Sequence, residues 1–125
     1  MRVWVDDWQM QCCGDAFEVG SVVSWGLQEA DEEYTVPVLG AELAATVTHH
    51  EERHGALPED WPETEGTVRR IQAVFCEYGP APGGPVNHLH PLAGTFALEE
   101  RQAADGWEKD RGGRRFVSYL VDLDG

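Results

Sequence analysis

The residues best able to do chemistry in this 125-residue chain fall in short clusters. His50-Glu51-Glu52-Arg53-His54 fits the bare HExxH pattern, in which two histidines one helical turn apart hold zinc and the first glutamate serves as general base. That chemistry needs a stable helix, a third ligand downstream and a substrate cleft. Leu43 and Val47 stand four apart, and Ala44 and Ala45 favour helix, so the spacing predicts a helix over 41–54 closed by Gly55. The run Ala45-Thr46-Val47-Thr48-His49 also suits a strand. Gly55 would end the helix at the second histidine, and so short a pattern also arises by chance. The plainer reading is a solvated polar face.

Cys12, Cys13 and Cys76 are soft ligands that could complete a metal site with His50 and His54. Structural zinc sites space their cysteine pairs by two to four residues, and adjacent cysteines serve one metal poorly. The simpler expectation puts one of the vicinal pair in the core and the other near a turn. An odd count with two adjacent members is not a disulfide framework, so a reducing cytoplasm is the expected location. His88 and His90 could share one face of a strand, but Pro85 and Pro91 argue for a loop.

Asp6 and Asp7 lie between Trp4 and Trp8. Adjacent strand residues face opposite ways, so a carboxylate dyad for acid–base work is not expected. The plain reading makes the tryptophans core and the aspartates strand-end solvation. Carboxylates beside tryptophan also make a recognition patch, because tryptophan is enriched at binding hot spots. Asp6, Asp7, Trp8 and Trp25 are therefore the expected contact surface. Gly112-Gly113-Arg114-Arg115 could touch an anion weakly. No phosphate-binding glycine loop, nucleophile elbow or dinucleotide fingerprint occurs, so no cofactor is expected.

These clusters sit on an acidic chain of net charge −14. Residues 1–66 carry fifteen acids and two bases, Arg2 and Arg53, a net of −13. Residues 67–125 carry eight acids and seven bases, a net of −1. Nucleic-acid and membrane-surface binding both need clustered Lys and Arg, so neither partner is expected. A protein with a basic surface fits, as do a cation and plain solubility. One lysine against eight arginines, with plentiful Ala and Gly, suggests a GC-rich bacterial genome. The opening Met1–Asp7 lacks a long apolar run, and no stretch approaches a membrane span.

The elements that must hold these residues are mostly strands. Fourteen glycines and seven prolines predict many turns and few helices. Residues 1–9 read as a strand, and 16–27 as two strands around a turn at Gly20. Residues 28–35 read as an acidic loop, and 36–40, with Pro37, as an edge strand. Residues 56–66 form a Pro-rich acidic loop around Trp61. Residues 67–78 read as a central strand, with Ile71, Ala73 and Phe75 on one face and Val74, Cys76 and Tyr78 on the other. A Gly/Pro loop spans 79–94, and strands follow over 95–100 and 116–123. The expectation is one mainly β domain over residues 1–125, a small bent sheet or barrel of SH3-like or OB-like kind. It has five to six strands and at most one helix, about 41–54.

The opening VWVDDWQMQCCG, continuing AFEVGSVVSW, resembles a family of small uncharacterised proteins from actinobacteria, catalogued as a domain of unknown function. GTVRRIQAV and RFVSYLVDL fit the same pattern, which covers most of the chain outside residues 80–94. The resemblance implies a bacterial, cytoplasmic protein and brings no activity. The leading expectation is thus a non-enzymatic binding module for a protein partner. The alternatives are a zinc protein or metallohydrolase using His50, Glu51 and His54, and an acidic antagonist of the immunity-protein or nucleic-acid-mimic type.

Overall fold

The computed structural model describes residues 1–52 and 57–125. In chain order the elements are β1 (Arg2–Asp6), α1 (Asp7–Cys13), β2 (Phe17–Glu18), β3 (Val22–Trp25), β4 (Leu27–Glu29), α2 (Glu32–Ala44) and β5 (His49–Glu51). Then come β6 (Thr64–Cys76), β7 (Tyr78–Pro80), β8 (Leu89–Pro91), β9 (Ala97–Arg101), β10 (Ala103–Ala104) and β11 (Arg115–Asp124). The protein is mainly β.

The main sheet runs β3-β6-β11-β1-β5-β4 and curls into a half-barrel. A seventh strand, β9, shares one edge of the long β6 with β3: β3 pairs with Thr64–Thr67 and β9 with Ile71–Phe75. β1 and β5 are parallel, and the other pairs are antiparallel. Two short hairpin-like pairs, β2 with β10 and β7 with β8, flank the sheet.

Two bulges explain the curl. Arg69 is an extra residue in β6, because Asp122 opposes Arg70 while Leu123 opposes Val68. Val117 is an extra residue in β11, because Phe116 opposes Phe75 while Ser118 opposes Val74. An extra residue bends its strand and shifts the side-chain alternation by one. Val68 thereby joins Ile71, Ala73 and Phe75, and Phe116 joins Tyr119, Val121 and Leu123, in one core. Val3, Val5, Met10, Phe17 and Trp25 complete that concave side. The opposite face carries Trp4, Val74, Cys76 and Leu120 under Val38, Leu39 and Ala44 of α2. The sheet is therefore covered on both faces; β6 is apolar on both sides as the sequence of 67–78 predicts, and so is β11.

Of the helix expected over 41–54, residues 41–44 are helical as the end of α2 and residues 49–51 are strand, and the described residues hold two helices where at most one was expected. α2 begins where residues 28–40 read as loop and edge strand. Asp31 supplies the start signal: its side chain accepts the Glu33 N–H at 2.9 Å. Glu32 and Glu33 suit the positive end of the helix. Pro37 lies inside the helix, and Gly40 kinks it with φ 78°. Residues 49–51 are a strand because β1 and β4 pair with them on both sides, and that pairing outweighs the helical preference of the preceding alanines. α1 likewise cuts short the strand expected to run to residue 9, which puts Trp8 on a helix.

Candidate functional site

Asp6 closes β1 and collects three donors. Trp4, two residues earlier on the same strand face, donates its indole N–H to Oδ1 at 2.8 Å. Gln9, in the first turn of α1, donates to Oδ2 at 2.9 Å. His50 lies opposite Trp4 in the β1–β5 register, and its Nε2 reaches Oδ2 at 2.7 Å. The Tyr34 ring meets the His50 ring edge-on, with centroids 5.7 Å apart. Burial pushes the Asp6 carboxyl up. The hydrogen bond and charge of His50, with the Trp4 and Gln9 bonds, outweigh that and hold it below its ordinary value.

A cleft of about 450 Å³ opens beside this cluster. Asp6, Asp7 and Trp8 line it with Glu33, Tyr34, Tyr78 and His90. Trp8 and Tyr34 are exposed. Burial raises the Asp7 carboxyl, and the neighbouring Asp6 charge adds to this against the pull of the Trp8 N–H and Arg115. The Arg115 guanidinium lies over the Tyr78 ring at 5.1 Å and holds a positive charge near this cleft.

A larger cleft, about 670 Å³, lies on the concave side. Its aromatic walls are Trp25, which is 3% exposed and meets Phe17 edge-on, and Trp61, which is 42% exposed. The Trp61 indole N–H donates to the Leu27 carbonyl at 3.1 Å, which fixes the ring against β4. Asp15, Glu52, Glu59 and Glu63 supply four carboxylates, and no Lys or Arg is among the described lining residues. Ser24 donates to Glu63 Oε2 at 2.7 Å and holds that carboxylate at the rim. Gln9 joins the two clefts. Its amide, bound to Asp6 on one side, also reaches Glu52 Oε2 at 3.4 Å.

The four expected contact residues therefore divide. Asp6, Asp7 and Trp8 share the smaller cleft, while Trp25 walls the larger one. The metal candidates stand apart. His50 is in a strand and bound to Asp6, Glu51 is buried in the same strand, and His54 lies outside the described residues. Cys12 and Cys13 are joined to each other by a disulfide, and both are exposed, so neither belongs to the core. Cys76 is buried on the α2 side of the sheet, with its Sγ 3.4 Å from Thr95 Oγ1. Among the described residues no three His, Cys, Asp or Glu side chains gather as a metal site would need. His88 and His90 are both exposed, and His90 lines the smaller cleft.

Sequence reasoning passed over Glu52, Glu59, Trp61, Glu63, Tyr34 and Gln9. One signal was present: the stretch ALPEDWPETEG sets four acids around Trp61, a combination that fits a cation-binding rim. Gln9 and Tyr34 carried no signal, because their roles depend on two helices that strand-like patterning hid.

The fold and these clefts define a curled β half-barrel, covered by helices, with acidic aromatic hollows on both sides. The chain belongs to a family of unknown function, DUF6578, whose family model matches residues 1–125. No curated protein and no solved structure matches the chain. No helix among the described residues is long and apolar enough to cross a membrane.

Proposed function

We propose that this protein is a binding module that takes a basic segment of a protein partner into the larger cleft. One observation carries the reading: Trp25 and Trp61 wall a hollow of about 670 Å³ that holds four carboxylates and no Lys or Arg among its described lining residues. Carboxylates at the rim attract an ammonium or guanidinium group, and the exposed Trp61 indole holds it by cation–π attraction as it loses water, while the buried Trp25 forms the floor. A guanidinium can also form paired hydrogen bonds with a rim carboxylate such as Glu63. The −13 charge of residues 1–66 steers such a partner toward this half of the chain. Asp7 and Trp8 of the smaller cleft extend the acidic surface across α1, although Arg115 offsets part of the charge there.

The test is a titration of labelled protein with a short arginine-rich peptide, followed by NMR. The reading expects the largest shifts at the Trp61 indole and at residues 21–25 and 57–63, weakening as salt rises. Shifts spread evenly over every acidic surface would remove the support for a built site.

A further inference from the structure

We propose that Cys12 and Cys13 form a reversible thiol–disulfide exchange site for a low-molecular-weight disulfide. The two sulfurs are bonded to each other across adjacent residues at the end of α1, and both residues are exposed. An external sulfur compound therefore reaches them without any opening of the fold. The backbone on either side is pinned. The Gln11 side-chain amide donates to the Gly106 carbonyl at 2.8 Å, and the Gly14 N–H closes the helix on the Met10 carbonyl at 3.3 Å. Met10, just before Gln11, is 3% exposed and belongs to the core. Reduction frees the sulfurs but leaves their Cα atoms where they were. The second thiol then stays beside the first, and intramolecular closure outruns attack by a second external molecule.

The exchange balances as follows. One protein thiolate attacks the external disulfide and expels one thiolate, which leaves a mixed disulfide. The other protein thiolate attacks the protein sulfur of that mixed disulfide and expels the second thiolate. The protein dithiol loses two electrons, the external disulfide gains them, and the two thiol protons end on the released thiols. Cys76, 0% exposed beneath α2, takes no part.

The experiment uses the full chain, fully reduced and then equilibrated with cystamine and cysteamine at varied ratios. Free thiols are capped with N-ethylmaleimide, and intact mass with peptide mapping locates the label. The expected result is that label at Cys12 and Cys13 disappears together as cystamine rises, with no cysteamine adduct accumulating. The Cys13→Ser variant is expected to hold a stable cysteamine adduct on Cys12. Wild-type protein that keeps label on both residues at every ratio, or that accumulates stable adducts on them, overturns the proposal.

Discussion

The Asp6 carboxylate and the His50 imidazole meet at 2.7 Å although 44 residues separate them in the chain. The contact ties the end of β1 to β5, and the Trp4 and Gln9 bonds make Asp6 the common acceptor of a strand, a helix and a neighbouring strand. Trp4 is itself buried, so its indole N–H depends on this carboxylate, while the buried Gln9 amide also reaches Glu52.

Replacing Asp6 by Ala removes the acceptor that Trp4, Gln9 and His50 share. The expected cost is about 3 kcal/mol, in the range for breaking a mostly buried charged hydrogen-bond cluster. Urea unfolding measures it. Asp6→Asn keeps an acceptor oxygen but loses the charge, and it is expected to cost less than Asp6→Ala.

The same carboxylate sets part of the acid stability. Its folded value lies below the ordinary aspartate value, so the folded state binds a proton there less readily than the unfolded chain does. Its contribution is complete above about pH 5 and is lost as the pH falls through the ordinary aspartate value and then the folded one. Thermal unfolding across this range is expected to show a shallower acid decline in Asp6→Asn than in wild type. Parallel curves would assign the acid sensitivity to other groups.

A second network lies under the loop after β10. Arg101 donates to Glu108 Oε1 from Nε at 3.0 Å and from Nη2 at 2.9 Å, and the Tyr119 hydroxyl donates to Glu108 Oε2 at 2.9 Å. Burial first, then the Glu108 bond and charge, push the Tyr119 phenol well above its ordinary value. In Glu108→Gln the charge is gone, and Tyr119 is expected to ionise at lower pH than in wild type. Spectrophotometric titration reads this directly, and an unchanged tyrosine profile would contradict the assignment.

Gly106 is expected to resist substitution. Its φ is +87°, and a Cβ there would stand 2.8 Å from the Met10 Cβ. Gly106→Ala combines a disfavoured backbone with a clash in the α1 packing, and a loss of about 2–3 kcal/mol is expected by chemical denaturation.

Much of the sheet was legible in the sequence. The two-faced apolar pattern of 67–78, the strand near 116–123 and the turn at Gly20 all follow from alternation and glycine placement. The helices were not. Trp4 and Trp8 look alike in sequence, yet Trp4 sits on β1 and Trp8 on α1, because tertiary contacts of Met10 and Gln9 decide where the chain turns. Pro37 argued for an edge strand, while the Asp31 cap and the packing of Val38 and Leu39 on the sheet made a helix. The larger cleft was half legible. Glu59 and Glu63 stand beside Trp61 in the chain, but Asp15, Trp25 and Glu52 arrive through the fold, which no local pattern reveals.

The measurement that bears most directly on the proposed function is the affinity for an arginine-rich peptide after matched charge removal. Glu59→Gln with Glu63→Gln takes two carboxylates from the larger cleft, and Glu32→Gln with Glu42→Gln takes the same charge from the exposed face of α2. The account predicts that the first pair weakens binding about tenfold, roughly 1.4 kcal/mol, while the second changes it little. Equal losses from both pairs would show that the peptide answers only to net charge, and would contradict the account.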